Sequence, residues 1–434
     1  MTNQNKRKRN IAILCSVVDS AHKRRRTSGL TFAPATQLES QAPTTVPQSL
    51  PRALFKTFLE PVVIAMERNP LNLKMQMEGC IALRNHTKAI GTMDRASLSA
   101  LLSVLRKHSD SLVLCLALDT LRSASRDANF RSMIADHSGS MATLLDTLQA
   151  SPIDGRLQEI GVSLFSYLVE EPACRKQLIE HGGVDVIISS MRNHASNTLI
   201  HCNGAAALSW LVHLNHDNAT AALVANPDAI PTIYTVSKEF VDNASVLGNC
   251  MCILFGVRVG NRAVLEDYPE LGGAPMRKLI QLGLRNNPKV IKVQRNCLML
   301  LRLVTEPEEN EVEMSLDNED VTSYDDCIAL VLTSMKEFSM EVEMQYLGSR
   351  VLANLAATPG LRQRIVATSG CINQVTAALL QHKTDTRIQR AAIYFLYEVL
   401  RESASQKGSE AFGGGISVLK DMLEGLGVLG EHHD

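Results

Sequence analysis

The fold is decided by one stretch of sequence, Gly183-Val-Asp-Val-Ile-Ile-Ser-Ser-Met-Arg192. One face of a helix with i, i+3, i+4, i+7 spacing is formed by Val184, Ile187, Ile188 and Met191. A polar link, Asn193-His-Ala-Ser-Asn197, turns the chain, and a longer helix is predicted from about Thr198 to Leu214. A short helix around Ala219 to Val224 leads into the next segment. Because no such unit covers its apolar face alone, copies of it must stack.

The unit recurs along the chain with a period just under 45 residues. A five-residue pattern in the longer helix, usually a small residue followed four positions later by an apolar one, starts at Gly79, Leu114, Gly161, Gly204, Gly248, Asn296, Gly348 and Ala392. Glycines precede the shorter apolar helix at Gly139, Gly183, Gly273, Gly370 and Gly415. Two markers in one register predict a tandem helical array.

A period in the forties, with three helices per unit and glycine before the second, resembles the armadillo-repeat family. The best matches are Gly182-Gly-Val-Asp-Val-Ile188, Gly204-Ala-Ala-Ala-Leu-Ser-Trp-Leu211 and Val351-Leu-Ala-Asn-Leu-Ala356. The resemblance covers roughly residues 53–427, or about eight to nine units. It implies an all-α, right-handed superhelical solenoid. HEAT repeats, with a similar period but two helices per unit, are the alternative.

The composition agrees with a helical chain. Hydrophobic residues make up 45% of the 434 residues and aromatic residues only 4%, whereas sheets favour aromatic and β-branched side chains. A net charge of -1 argues against nucleic-acid binding through the whole surface. The longest apolar runs have seven residues, which predicts no membrane span. The ten cysteines form no CxxC pair, so we interpret them as small hydrophobes in a reducing compartment.

Three segments differ in composition. Residues 1–51 are predicted to be a disordered tail, because this Ser, Thr, Pro and Gln-rich stretch has too little apolar surface to fold. Residues 52–434 form the predicted solenoid. It is interrupted by an acidic insertion at residues 306–320, which carries eight acids and no base. We interpret the insertion as a solvated loop, with a docking site for basic segments as the alternative.

The tail contains two basic clusters separated by 13 residues. They consist of Lys6, Arg7, Lys8, Arg9, Lys23, Arg24, Arg25 and Arg26. This spacing resembles a bipartite nuclear localisation signal and predicts a protein of the cytoplasm, the nucleus or both. A mitochondrial transit peptide is the alternative, because the segment is basic and nearly free of acids.

Catalytic signatures are absent from the sequence, including GxSxG, GxGxxG, HExxH and an EF-hand loop. His213 and His216, with His201 and Cys202 nearby, are the most metal-like cluster. No second cysteine pair accompanies them, so neither a metal site nor a cofactor is predicted. We expect a protein that is not an enzyme.

The armadillo resemblance implies that the longer helices line a groove, in which an Asn near each helix end holds an extended peptide. Alignment by the leucine pattern places these positions at Asn85, Thr120, Tyr167, Trp210, Leu254, Arg302, Asn354 and Glu398. The predicted partner-binding residues are Asn85, Thr120, Tyr167, Trp210, Arg302 and Asn354. Only Asn85 and Asn354 carry the family's residue, and Trp210 is the chain's single tryptophan.

The sequence therefore predicts a scaffold or adaptor that binds extended or helical segments of partner proteins, and no nucleic acid. The alternative is a transport adaptor of the nuclear-import type, whose basic tail binds its own groove. A third hypothesis is an enzyme or regulatory subunit that uses the histidines around His213. The sequence predicts no oligomeric state.

Overall fold

The computed structural model describes residues 52–214, 216–261, 263–306 and 318–405. Every regular element in these residues is helical, which confirms the all-α fold class. The α-helices are α1 (Arg52–Arg68), α2 (Leu73–Ile90), α3 (Arg95–Lys107), α4 (Ser111–Ala124), α5 (Ala128–Asp136), α6 (Ser140–Gln149), α7 (Gly155–Leu168), α8 (Pro172–Glu180), α9 (Gly183–Asn193), α10 (Thr198–Leu214), α11 (His216–Ala225), α12 (Ala229–Glu239), α13 (Ala244–Gly260), α14 (Val264–Asp267), α15 (Gly273–Asn286), α16 (Ile291–Val304), α17 (Asn318–Glu337), α18 (Val342–Ala357), α19 (Pro359–Ala367), α20 (Cys371–Gln381) and α21 (Thr386–Ser405). A short 3-10 helix, Pro269–Leu271, precedes α15. None of the helices described has both the length and the apolar character needed to cross a bilayer.

The helices follow one another in the predicted three-helix order. The short first helices are α5, α8, α11, α14 and α19. The second helices are α1, α3, α6, α9, α12, α15, α17 and α20, and the third helices are α2, α4, α7, α10, α13, α16, α18 and α21. The bounds of α10 are the predicted ones, and α9 runs one residue further than predicted, to Asn193.

The chain divides into two compact units, Met1–Thr232 and Ile233–Asp434. In unit 1, the third helices pack in succession, α2 on α4, α4 on α7 and α7 on α10. In unit 2, α13 packs on α16, α16 on α18 and α18 on α21. Second helices of successive repeats also pack on one another in each unit, for example α3 on α6 and α15 on α17. This consecutive packing confirms the solenoid prediction.

Glycine precedes several second helices because the chain there adopts a left-handed backbone conformation. Gly139, Gly182 and Gly370 have φ of 72°, 77° and 87° and lie at the N-caps of α6, α9 and α20. Gly273, the first residue of α15, has φ of 52°. A Cβ is disfavoured in this region, so the positions select glycine. At the predicted Gly183 marker, the neighbouring Gly182 is the residue with positive φ.

Several predictions lie outside the described residues. They concern the tail 1–51, most of the acidic insertion and the Gly415 marker. The insertion differs from the prediction at its end, because α17 begins at Asn318 and takes in residues 318–320.

Candidate partner-binding surface

The candidate site is the third-helix surface, which we define as those side chains of the third helices that reach solvent. Most of the third helices that carry this surface start after an aspartate or asparagine N-cap. The caps whose side chains accept backbone N–H groups are Asn72, Asp110, Asp154, Asn197, Asn243 and Asp385. Such a cap satisfies N–H groups that the first turn leaves unpaired, and it fixes the residue at which the helix starts.

A buried glutamine, four residues after the N-cap position, joins several third helices to the second helix of the same repeat. Gln345 Nε2 donates to Met335 O at 2.8 Å and to Phe338 O at 3.0 Å. The same paired bonds, 2.7–2.9 Å long, are made by Gln76, Gln158 and Gln294. The acceptors are carbonyls at the end of the second helix, and at least one carbonyl of each pair also accepts a backbone N–H. In α10, His201 takes this position, and its Nε2 lies 2.8 Å from Ala195 O.

Two of these glutamines also bond to the following repeat. Ser190 Oγ, on α9, donates to Gln158 Oε1, and Ser334 Oγ, on α17, donates to Gln294 Oε1. The side-chain amide of one glutamine therefore links three helices by hydrogen bonds. All four polar side chains are buried, so losing a partner would leave an unsatisfied group away from water.

Three residues after the glutamine position, a small residue lets the second and third helices approach closely. In four repeats this residue is glycine, and a Cβ built on it would lie 2.3–2.9 Å from a side chain thirteen residues earlier. The four contacts are Gly79 to Met66, Gly161 to Leu148, Gly204 to Met191 and Gly348 to Met335.

This register corrects three of the predicted repeat markers. A Cβ on Gly248 would meet Lys292 and Val293 at 3.5 Å, which is ordinary contact. Counted from the helix starts, the equivalent residues are Ala117, Cys250 and Cys297, instead of Leu114, Gly248 and Asn296. The leucine pattern was shifted by one to three positions in α4, α13 and α16, because these helices are apolar on more than one face.

The correction moves three of the eight aligned groove positions. Six residues after the small residue, the new positions are Ser123, Gly256 and Leu303, instead of Thr120, Leu254 and Arg302. Thr120 is completely buried, and its Oγ1 donates to Leu116 O at 2.7 Å and to Cys80 O at 3.3 Å. Thr120 therefore joins α4 to α2 and presents no polar group to a partner.

The other predicted groove residues differ in how exposed their side chains are. Asn354 is 1% exposed, and its Nδ2 donates to Arg302 O at 3.0 Å, which joins α18 to α16. It therefore packs inside unit 2. Asn85 is exposed, whereas Tyr167, Trp210 and Arg302 are half-buried. These four reach the third-helix surface, and their contact with a partner stays a prediction.

A second repeated polar contact was missed by the sequence predictions. The fourth residue of α5, α8 and α19 is arginine. Arg175 Nη1 donates to Val169 O at 2.7 Å and to Glu170 O at 3.1 Å, at the end of α7. Arg131 and Arg362 make equivalent bonds at the ends of α4 and α18. The sequence signal is an arginine at the fourth position of three of the five short first helices.

Arg362 also forms a buried ion pair. Its Nη2 lies 3.0 Å from Glu398 Oε2, and the two side chains are only 5% and 6% exposed. Glu398, aligned above with the groove positions, is therefore part of the interior of unit 2.

The surface of unit 1 carries a charge cluster on α2 and α4. Arg122 Nη2 lies 2.5 Å and Arg84 Nη1 lies 3.3 Å from the Asp119 carboxylate. Burial alone would raise the pKa of Asp119, yet the hydrogen bond and charge of Arg122, followed by those of Arg84, hold it below its ordinary 3.8.

The surface of unit 2 instead pairs arginine with tyrosine. The guanidinium carbon of Arg350 lies 5.4 Å from the ring centroid of Tyr394, and that of Arg387 lies 5.1 Å from the ring of Tyr346. Both pairs join α18 to α21. Within about 6 Å of a ring centroid, a cation is attracted by the aromatic quadrupole.

The described cysteines are consistent with packing roles. Seven of the nine are buried, and burial raises the pKa of Cys80, Cys297 and Cys371 to about 12. A thiol with such a pKa is a poor nucleophile at neutral pH. Within the described residues, no three His, Cys, Asp or Glu side chains converge in a metal-binding arrangement.

Comparison with known proteins supports the fold. No family model and no curated protein matches the chain. A solved structure does, from work on a conserved phosphorylation switch that controls the interaction between cadherin and beta-catenin in vitro and in vivo. The TM-score is 0.62 at 14% identity, covering 84% of this chain and 63% of that chain. The similarity is to an armadillo-repeat protein and concerns the fold.

Proposed function

We propose that the protein is a non-enzymatic scaffold or adaptor that binds partner proteins through the third-helix surface. The observation that carries this proposal is the succession of third helices within each unit. Six of them start at Asx caps, and four are held against their second helix by a buried glutamine. Such a framework holds surface side chains in rows at constant spacing. A surface of this kind suits extended or helical segments of other proteins.

Aromatic residues mark the best anchor on unit 1. Tyr167 and Trp210 lie half-buried on α7 and α10, which pack against each other. Half-buried aromatic side chains are enriched among residues that dominate binding energy, because they offer a large rigid area at low entropic cost. The cadherin interaction of beta-catenin supports the proposal only by showing that a related fold binds a protein.

The test is site-specific photo-crosslinking in cells. A photoreactive phenylalanine is placed on the third-helix surface at Asn85, Tyr167 or Trp210, and, as controls, at exposed Lys107 or Arg126. We expect partner proteins to be crosslinked from the first three positions and not from the controls. Equal crosslinking from both sets, or crosslinking from the controls alone, would contradict the proposal.

A further inference from the structure

The third helices of unit 2 carry a net positive charge. The third helices α13, α16, α18 and α21 contain eight basic and three acidic residues. The rest of residues 233–405 contains ten basic and eighteen acidic residues. Eleven of these eighteen acids lie in residues 306–337, whereas α15 and α19 contain only basic charges. The positive charge of the third helices attracts anionic partners to them.

Four arginines of these third helices have no carboxylate partner among the residues described. They are Arg295, Arg302, Arg350 and Arg390. Arg302 Nε is shielded from solvent and has no acceptor in that part of the chain. By contrast, Arg387 Nη1 lies 2.9 Å from Glu343 Oε2. Guanidinium groups pair best with oxyanions, so the four arginines offer unused donors to an anionic ligand.

Two of the four arginines lie in one row. Arg295, Tyr346 and Arg390 are each the fifth residue of their helix, in α16, α18 and α21. Arg295 and Tyr346 are half-buried, and Arg390 is exposed. Packed helices lie ~8–10 Å apart, so the two arginines are separated by ~16–20 Å. An extended chain covers that distance in about five or six residues.

Unit 1 lacks such a row. The fifth residues of α2, α4, α7 and α10 are Met77, Cys115, Glu159 and Cys202. The same backbone framework therefore carries no positive charge at this position, which makes the arginine row a specific property of unit 2.

We propose that the third-helix surface of unit 2 binds an extended acidic segment of a partner protein. Carboxylates five or six residues apart pair with Arg295 and Arg390, and the chain between them passes over Tyr346. This inference rests on the proposed function and specifies the partner's chemistry. An acidic peptide is favoured over nucleic acid, because the two arginines are separated by ~16–20 Å, whereas a nucleic-acid strand carries a phosphate at every nucleotide.

The test uses fluorescein-labelled twelve-residue peptides of identical composition with the full-length protein. Each contains two Glu-Glu pairs in a Ser, Gly and Leu background, with the pairs three, six or nine positions apart. By fluorescence anisotropy we expect the six-residue spacing to bind at least fivefold more tightly than the others. Affinities that do not depend on spacing, or no binding by any peptide, would overturn the proposal.

The variant with both Arg295→Gln and Arg390→Gln should lose at least tenfold in affinity for the six-residue peptide. Arg126→Gln, the same change at an exposed site of unit 1, should stay within twofold of the wild type. Circular dichroism melts check that all three proteins are folded. Equal loss in both variants, or tighter binding of a twelve-nucleotide single-stranded RNA, would reject the acidic-peptide assignment. If third-helix crosslinks persist while acidic peptides do not bind, the proposed function stands and this inference fails.

Discussion

Gly348 lies so close to Met335 that a Cβ on the glycine would be 2.4 Å from Met335 Cγ. This distance is far below a normal carbon–carbon contact, so α18 can pack on α17 only because Gly348 has no side chain. A Cβ on Gly248, which the corrected register places elsewhere on its helix, would meet its nearest neighbours at an ordinary 3.5 Å. Two glycines from the same predicted pattern therefore have opposite tolerance to substitution.

Gly348→Ala should lower the free energy of unfolding by ~1–2 kcal/mol, since overpacking outweighs the gain in helix propensity. Gly248→Ala should be neutral or stabilising by up to ~1 kcal/mol, because alanine favours helix and meets no obstacle. Urea denaturation of both variants measures the difference. A Gly348→Ala protein as stable as the wild type would show that Met335 moves aside without loss.

Gln345→Leu should destabilise unit 2 by ~1–3 kcal/mol, because Met335 O loses the amide donor in a buried site, whereas Phe338 O keeps the Glu341 N–H. Gln389→Leu is the matched control. Gln389 occupies the same position of α21 but donates to Lys383 O on an exposed link, so its loss should change stability by less than ~0.5 kcal/mol. Chemical denaturation measures the free energy of unfolding of both variants. Equal losses of stability would argue against a stabilising role for the paired glutamine bonds.

Arg362→Met should cost ~3–5 kcal/mol, because it leaves the Glu398 carboxylate buried without this partner. It also removes the donor to the last turn of α18. Arg285→Met breaks an ion pair of similar length, 3.2 Å to Asp326, between side chains that are more than half exposed. Its effect should stay within ~1 kcal/mol. Thermal unfolding followed by circular dichroism should therefore separate the two variants clearly.

Asp119→Asn tests the charge cluster of unit 1 through pH. Because the folded-state pKa of Asp119 is below 3.8, its ionised form stabilises the fold above that value, and the contribution is lost as pH falls through the folded pKa. We expect the variant to be less stable than the wild type by ~1 kcal/mol at pH 7, with the difference shrinking as the pH falls below 3.8. Urea unfolding across pH 2.5–7 measures this. A difference that does not change with pH would assign the effect to packing.

Replacement of Lys23, Arg24, Arg25 and Arg26 by alanine tests the predicted localisation signal. If the clusters act as a nuclear signal, a tagged variant should move from the nucleus to the cytoplasm, because import signals are read through clustered positive charge. Fluorescence microscopy measures the ratio. Unchanged nuclear fluorescence, or mitochondrial localisation of the wild type, would reject the signal.

Hydrophobic spacing was sufficient to predict the helices and their order. It placed α10 at Thr198–Leu214 because a polar link, residues 193–197, precedes an apolar run. It failed in α13, where Leu247, Cys250 and Leu254 are all buried and several registers fit equally well. The cap residue Asn243 fixes the correct one.

The hydrogen bonds of the buried glutamines and of the first-helix arginines were not predicted. An amphipathic pattern does not reveal which polar side chains face inward. Gln294 and Arg175 have the composition of surface residues, yet they donate to helix-end carbonyls. Thr120 was assigned to the groove by a leucine-pattern register that was three residues out, and it is buried. A glutamine followed three residues later by a small residue is the sequence signal that finds these contacts in future arrays.

The glutamine and arginine side chains that bond to helix-end carbonyls affect how the chain folds. Gln345 reaches acceptors ten and seven residues away, and Arg175 reaches acceptors six and five residues away. Loops of about ten residues close in ~10–100 ns, so these bonds form without a search for distant partners. The contact order is correspondingly low, which favours fast folding. The glutamine bonds close a repeat on itself and the arginine bonds join a repeat to the one before it, so nucleation can start locally and spread to neighbouring repeats.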